Sequence, residues 1–106
     1  MTVYVVVDND VKNPEPYREY LSQVTPTLAA YGGVYLVRAG TIHQADSEWA
    51  PERLVIVAFP SLELASAWVN DPEMAHIHAQ RREHADSRLI IVDGVDRSGG
   101  AELVVS

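Results

Sequence analysis

The segments of this chain with the strongest strand-forming character are apolar on both of their faces. Three of them, TVYVVVD at 2–8, RLVIVAF at 53–59 and RLIIVD at 88–93, are rich in β-branched residues, which favours strands. Successive side chains of a strand point to opposite faces, so a strand with one wet face alternates apolar and polar residues. These segments do not alternate. We therefore expect both faces of the sheet to be buried.

A helix with one apolar stripe is predicted after the first strand. The first strand is expected to end in a turn at Asp8-Asn9-Asp10, and Asn13-Pro14 is typical of a helix N-cap and first helical position. Pro26 predicts a kink, and Gly32-Gly33 predicts the end of the helix. The apolar stripe has intervals of three and four residues, at Tyr17, Tyr20, Leu21, Val24, Leu28 and Tyr31.

The second half of the chain continues with two strands, a helix and a strand. VYLVRAG at 34–40 predicts a strand, 41–52 a polar loop, and 53–59 the returning strand. Ser61 is expected to cap a helix that is broken at Asp71-Pro72 and then runs to about His84. The order β-α-β-β-α-β predicts an α+β, ferredoxin-like fold with an antiparallel sheet and both helices on one face.

One domain accounts for nearly the whole chain. At 106 residues there is no room for a second domain, and residues 1–95 are expected to form the ferredoxin-like unit. Residues 96–106 are expected to be a flexible tail with a joint at Ser98-Gly99-Gly100. The short apolar segment AELVVS at its end is suited to adding an edge strand to a neighbouring sheet.

The apolar face that the helices leave uncovered predicts a homodimer. Helices on one face bury only half of the apolar side chains of the strands. We expect the other face to pack against the sheet of a second identical subunit, as in a dimeric α/β barrel. Addition of the tail as an edge strand would allow higher assemblies.

Charge and composition exclude several partners. With 15 acidic and 8 basic side chains the formal charge is -7, so a phosphate backbone would be repelled and nucleic acid is not expected. The chain has no cysteine, which excludes disulfides and thiolate chemistry. The sequence has no long apolar run, so we expect no membrane span and no signal peptide, and we expect a cytoplasmic location.

Several segments together resemble the domain-of-unknown-function 1330 family, whose members are small proteins of the dimeric α/β barrel superfamily. The similarity extends from about residue 2 to 95, over NPEPYREY, YGGVYLVRAG, FPSLELASAW, NDPE and DSRLIIVDG. The resemblance implies the fold but no single activity, since superfamily relatives include cofactor-free monooxygenases, isomerases and haem enzymes. The family pattern is kept at Tyr17, Tyr20, Gly32, Gly33, Arg38, Phe59, Trp68, Pro72, Glu73, Arg81, Asp86, Ser87, Arg88 and Gly94.

The chain departs from the family pattern at four places. Val34 replaces an arginine, Ala58 a glutamate and Met74 a tyrosine, and a family glycine is missing near Arg82-Glu83-His84. Val34 and Ala58 lie on strands expected to be adjacent, where they could share a face. The two departures therefore suggest that an ion pair has been replaced by apolar packing.

Arg38 and His43 are the candidate catalytic residues. An arginine within the apolar strand VYLVRAG needs a carboxylate, a ligand or water. Arg38 either extends to solvent or pairs with Asp8 or Asp93, or it anchors an anionic or carbonyl group of a small ligand. His43 lies at the mouth of the loop 41–52, where it is either a solvated side chain or a general base.

Tyr4, Trp49 and Arg81 complete the predicted ligand-binding set with Arg38. Tyr4 has a polar tip that needs a partner inside a barrel, and Trp49 lies in a long loop. Arg81 has two interpretations. The preferred one pairs it with Glu73 or Glu83 on a solvated helix face, and the other places it as a cap on the pocket.

No metal site and no cofactor are predicted. His76, His78 and His84 lie on one helix, but none of their spacings matches the i, i+4 arrangement of helical zinc sites. A structural or solvated role is preferred for them, and haem ligation by one of them is open only from the superfamily resemblance.

Two functional hypotheses follow from these residues. The first is a homodimer that binds a small organic ligand through Arg38 and acts as a cofactor-independent isomerase, cyclase or monooxygenase. The second is a non-catalytic binding or assembly module whose own side chains fill the barrel interior. A ligand-sized pocket faced by Arg38 and Tyr4 would favour the first hypothesis, and a solid interior the second.

Overall fold

The computed structural model describes residues 1–95, in which four strands form one antiparallel sheet with helices on one face. The strands are β1 (Val3–Val11), β2 (Val34–Arg38), β3 (Arg53–Phe59) and β4 (Ala85–Asp93), in the order β2-β3-β1-β4. That order and the β-α-β-β-α-β sequence confirm the ferredoxin-like α+β fold. The predicted tail at 96–106 lies outside the described residues.

The helices begin and end where proline, glycine and capping side chains require. They are α1 (Pro14–Val24), α2 (Leu28–Tyr31), α3 (Leu62–Asn70) and α4 (Ala75–His84). Pro26 lies in a 3₁₀ turn that separates α1 from α2, and Gly32 ends α2 with a left-handed φ of 75°. Ser61 caps α3 by accepting a hydrogen bond from the Leu64 amide. Asp71-Pro72 starts a second 3₁₀ turn before α4. The predicted breaks are therefore confirmed.

The predicted turn at Asp8-Asn9-Asp10 is wrong, because β1 continues through it to Val11. β4 also begins earlier than predicted, at Ala85 rather than Arg88. The two extensions pair with each other, with Asn9 opposite Ser87 and Val11 opposite Ala85. Backbone pairing with β4 thus overrides the turn preference of the Asp-Asn-Asp composition.

The core lies between the sheet and the helices. The side chains of Val3, Val5 and Val7 from β1 and of Val57 and Phe59 from β3 are almost completely buried there. Tyr17, Tyr20 and Val24 of α1 and Trp68 of α3 cover them. The aromatic ring centroids of Phe59 and Trp68 are 5.6 Å apart.

The other face of the sheet, which we term the open face, carries no helix. Tyr4, Val6, Ile56, Ile90 and Val92 lie on it as cross-strand neighbours. Ile90 is 58% exposed and Val92 43% exposed. The strands are therefore apolar on both faces, as expected, but residues 1–95 cover only one of the two faces. None of the helices between residues 1 and 95 combines the length and the apolar character that a membrane crossing requires.

Candidate functional site

Three polar side chains form a row across the sheet on its helix-covered face. Arg53 of β3 and Ser87 of β4 are both register partners of Asn9 in β1. Each has a buried atom without a hydrogen-bond partner within residues 1–95: Arg53 Nε, Asn9 Oδ1 and Ser87 Oγ. Native proteins satisfy nearly all buried polar atoms, so a row of unsatisfied ones indicates a place where water or a ligand binds.

Asn9 is the centre of this row. It continues the inward-facing series that begins with Val3 in β1, and its side chain is 2% exposed. Its Nδ2 donates a hydrogen bond to the hydroxyl of Tyr17 in α1 at 2.8 Å. The guanidinium of Arg53 lies over the Tyr17 ring, 5.6 Å from its centroid, within cation–π range. Tyr17 therefore connects α1 to both polar residues.

A small inner cavity adjoins this group. Its volume is about 20 Å³, enough for about one water molecule. Polar and apolar side chains share the lining, which includes Asn9, Tyr17, Tyr20, Tyr35, Arg53 and Trp68. An outer cleft of about 290 Å³ lies between the start of α1 and the start of β3. Tyr17, Leu21 and Arg53 line both spaces, so the inner cavity and the outer cleft adjoin at these residues.

Arg81 of α4 is buried behind the tyrosines and is 4% exposed. It is not on a solvated face and forms no ion pair with Glu73 or Glu83, so the preferred interpretation of this residue is wrong. Instead its Nη1 donates to Nδ1 of His78 at 3.0 Å, and Nε2 of His78 lies 2.9 Å from the Trp68 carbonyl oxygen. The carbonyl can only accept, so Nε2 carries a proton. The guanidinium can only donate, so Nδ1 carries none and His78 is neutral.

Burial sets the protonation of this group. Desolvation lowers the pKa of His78 to about 4, and the neighbouring Arg81 adds to the shift. Burial also raises the pKa of Tyr20 well above its usual value, although Arg81 partly opposes this. The pKa of Arg81 itself is lowered by desolvation. At neutral pH the group thus contains a neutral imidazole, a protonated phenol and a guanidinium cation.

Arg38 lies at the edge of the same face. One extra residue in β2, Leu36, shifts the register between Tyr35 and Val37, so Arg38 pairs with Val55 and faces the helices. Its Nη2 donates to Thr25 Oγ1 at 3.3 Å, and its guanidinium lies 4.8 Å from the Tyr35 ring centroid. It is exposed and pairs with neither Asp8 nor Asp93.

Tyr4, Trp49 and His43 are not on this face. Tyr4 lies on the open face between Ala58 and Val92. Trp49 also packs there, where its indole Nε1 donates to Asp8 Oδ2 at 2.9 Å. His43 is exposed in the loop between β2 and β3. The predicted ligand-binding set is therefore divided, with Arg38 and Arg81 on the helix-covered face and Tyr4 and Trp49 on the other.

The three histidines of α4 have separate environments. His78 is buried, His76 is exposed, and Nδ1 of His84 lies 3.2 Å from Asn13 Nδ2. Within residues 1–95 no cluster of three or more histidine or acidic side chains is close enough to hold a metal ion.

Sequence reasoning did not identify Asn9, Tyr17 and Arg53 as site residues. Asn9 was assigned to a turn, and Tyr17 to the helix stripe. The available signal was a polar residue at one end of each inward-facing series: Asn9 in 3-5-7-9 and Arg53 in 53-55-57-59. In antiparallel neighbours, polar ends of inward-facing series can coincide.

The family assignment is decided by a match over almost all of the described chain. The family model described as "Domain of unknown function (DUF1330)" matches residues 2–95. The chain belongs to the DUF1330 family. The resemblance noted from the sequence is thus confirmed for this DUF1330 protein. No curated protein matches it significantly.

Two solved structures are similar to this DUF1330 protein in fold. One is the crystal structure of methylated RPA0582 protein, with 14% identity and a TM-score of 0.69 over 91% of this chain and 82% of the other. The second is described as the RPA0582 protein of unknown function from Rhodopseudomonas palustris, with 16% identity and a TM-score of 0.67 over 90% and 83%. At these identities the similarity establishes the fold alone.

Proposed function

We propose that this DUF1330 protein binds a small organic molecule in the cleft between α1 and the sheet. The observation that carries the proposal is that Tyr17, Leu21 and Arg53 line both the outer cleft and the inner cavity, so the two spaces adjoin. Binding sites combine apolar walls with a few polar groups that fix orientation. Asn9 Oδ1 and Arg53 Nε are unpartnered polar groups of this kind, and a bound ligand would satisfy them.

The proposal includes a homodimer formed through the open face. Val34, Ile90 and Val92 are exposed apolar residues on that face, and contiguous apolar surface favours association. Near its centre Asp8 accepts from the Trp49 indole and lies 3.4 Å from Arg88 Nη2. A polar group embedded in apolar surface can fix the orientation of two packed sheets. We place the protein in the cytoplasm, since a chain without cysteine does not need an oxidising compartment.

The superfamily resemblance extends the proposal to a cofactor-independent reaction, such as an isomerisation, cyclisation or oxygenation. Arg38 is the anchor at the rim of the site, because it lies over Tyr35 and Tyr35 lines the inner cavity. His43 is not included, since its loop position gives it no geometry toward this cavity.

The binding proposal is tested by nuclear magnetic resonance of ¹⁵N-labelled protein. Benzoate, benzamide and benzylamine are added separately at millimolar concentration, which covers one negative, one neutral and one positive probe of similar size. The two tryptophans are internal reporters, because Trp68 lines the inner cavity and Trp49 lies on the open face. Binding of any probe should shift the Trp68 indole signal and leave that of Trp49 unchanged. Failure of all three probes to shift residues of the cleft would overturn the proposal.

The second candidate function is a non-catalytic assembly module. The small volume of the inner cavity, about 20 Å³, favours it, since side chains of the chain itself occupy most of the interior. Sedimentation velocity at several concentrations measures the dimer independently of any ligand. A dimer that persists over all concentrations and binds no probe would support this candidate over the first. A monomer at all concentrations would exclude the assembly module and the homodimer of the first proposal.

A further inference from the structure

We propose that the ligand of this site is an anion: a carboxylate attached to a compact apolar body, with the carboxylate directed at Arg53 and Asn9. This inference rests on the proposed binding function and adds the chemical class of the ligand. It is drawn from the charge, the hydrogen-bonding capacity and the dimensions of the site.

The charge of the interior is the first argument. The helix-covered face contains the guanidinium groups of Arg53 and Arg81, and within residues 1–95 neither forms a salt bridge with a carboxylate. Arg81 bonds instead to a neutral imidazole, and Arg53 lies over an aromatic ring. The chain has 15 acidic side chains, so this lack of pairing within the described part is not a shortage of carboxylates. Arg81 is buried, and Arg53 is half-buried with a buried, unpartnered Nε. Uncompensated positive charge in such surroundings is costly, and a bound anion would compensate it.

Hydrogen-bond donors are the second argument. Arg53 Nε–H is buried and unpartnered, so it can donate to a carboxylate oxygen. Asn9 provides a second donor, its Nδ2, if the side-chain amide is flipped so that Oδ1 and Nδ2 exchange places. The Tyr17 hydroxyl can either accept from Nδ2 or donate to Oδ1, so both amide orientations keep the 2.8 Å contact between Asn9 and Tyr17. An anion selects the orientation in which Nδ2 faces the ligand.

The position of Arg81 supports this polarity without direct contact. Arg81 lies next to Tyr20, which lines the inner cavity. The buried guanidinium is therefore one side chain away from the cavity and contributes a positive electrostatic potential there. Burial raises the pKa of Tyr20, so its hydroxyl keeps the proton and remains a hydrogen-bond donor.

The dimensions define the rest of the ligand. The inner cavity of about 20 Å³ has room for about one water-sized group, such as one oxygen of the carboxylate. The outer cleft of about 290 Å³ is large enough for one ring or a short branched chain. Its apolar lining consists of Val11, Pro14, Leu21 and Ala39. Two exposed residues of opposite charge, Arg18 and Glu52, lie at its mouth. The mouth is therefore close to neutral, and the positive charge lies at the inner end.

The affinities of benzoate and benzamide, which differ in charge but little in shape, test this inference. We expect benzoate to bind the wild-type cleft at least about tenfold more tightly, since hydrogen bonds to a charged group are stronger than neutral ones. Arg53→Gln should reduce the ratio of the two affinities to within about twofold. Arg18→Gln removes the same charge at the mouth of the cleft and is the matched control, in which the ratio should be retained.

The possible outcomes separate this inference from the proposed function. Equal affinities of benzoate and benzamide at the cleft of the wild-type protein would overturn the anion assignment and leave small-molecule binding intact. A lower ratio in Arg18→Gln than in Arg53→Gln would also overturn it, because the charge would then act at the mouth. If benzylamine binds at the cleft and neither benzoate nor benzamide does, the anion assignment is overturned and small-molecule binding is retained. If none of the three probes binds, both proposals are overturned. The comparison of benzoate and benzamide affinities in the wild-type protein tests the anion assignment even if Arg53→Gln does not fold.

Discussion

Arg81 donates a hydrogen bond from Nη1 to Nδ1 of His78 at 3.0 Å, so a buried cation is held by a histidine that must stay neutral. The second ring nitrogen of His78 is already committed to the Trp68 carbonyl. Protonation of His78 would place two cations in contact and remove the acceptor. The pair therefore makes the stability of the fold depend on pH.

Stability is expected to fall between pH 6.5 and pH 4. The pKa of His78 is lowered from 6.5 to about 4 in the folded state. A base with a lowered folded pKa contributes its full stability above the unfolded pKa and loses it as the pH falls toward the folded value. The loss from this group is up to about 3 kcal/mol. Urea unfolding at a series of pH values measures it. Glutamine in His78→Gln can keep both hydrogen bonds but does not titrate. If the free energy of unfolding of that variant fell with pH as steeply as that of the wild type, the pH dependence would not come from His78.

Gly33→Ala should destabilise the fold, and Gly40→Ala should not. A Cβ at Gly33 would lie 2.9 Å from both Leu28 Cδ2 and Phe59 Cε1, whereas a Cβ at Gly40 would meet nothing within 4 Å. Overpacking of this kind costs about 1–3 kcal/mol. Thermal unfolding of the two variants provides a matched comparison, and equal melting temperatures would show that the core at Phe59 can relax.

Ala58→Glu should reduce stability, and Val34→Arg in the same chain should restore it. Val34 and Ala58 are direct register partners, so the predicted shared face is confirmed. Val34 is 60% exposed. Opposite charges at directly opposed positions contribute about 0.2–1 kcal/mol, while a lone glutamate on an apolar surface has no partner. Chemical unfolding of the single and double variants measures the difference, and indistinguishable values would mean that no ion pair forms at these positions.

Ile90→Asp should abolish the proposed dimer, and Leu62→Asp should leave it unchanged. The two residues are exposed to similar extents, 58% and 55%, but Ile90 lies on the open face and Leu62 on α3. A carboxylate buried between two sheets would be unpaired. Sedimentation velocity at matched concentrations reports the oligomeric state. Loss of the dimer in Leu62→Asp, or its persistence in Ile90→Asp, would place the interface elsewhere.

Arg38→Met should weaken probe binding severalfold with little change in melting temperature. Arg38 is exposed and its side-chain hydrogen bond to Thr25 is long at 3.3 Å, so its contribution to stability is small. Its guanidinium nevertheless lies beside Tyr35 at the edge of the cavity. The benzoate titration measures the change, with Arg88→Met on the opposite face as the control. A lower melting temperature with unchanged affinity would identify Arg38 as a structural residue.

The local signals in the sequence predicted the order of elements and most of their ends. Pro26, Gly32 and Ser61 act through backbone geometry and capping that depend only on near neighbours, and each is found where the sequence places it. Asn9 could not be recognised in this way. Its extended conformation depends on pairing with Ser87, which is 78 residues away in sequence and leaves no local trace.

The candidate site was predicted less well than the fold for a related reason. The choice of Arg38, Tyr4, Trp49 and Arg81 identified unusual residues without fixing the face of the sheet on which each one lies. Arg81 was expected on a solvated helix face, paired with Glu73 or Glu83. Its burial depends on a neutral histidine acceptor one turn away, and protonation states are not visible in a sequence.

Leu36 shows how a single inserted residue decides where a charge is located. Because the bulge displaces Arg38 by one position relative to β3, the guanidinium faces the helices and not the open face. If Leu36 paired regularly instead of forming the bulge, Arg38 would lie opposite Leu54 and would point to the open face, with no change in any letter of the sequence. Among DUF1330 proteins, the presence of a bulge in this edge strand is therefore as informative as residue identity when the role of an aligned arginine is transferred.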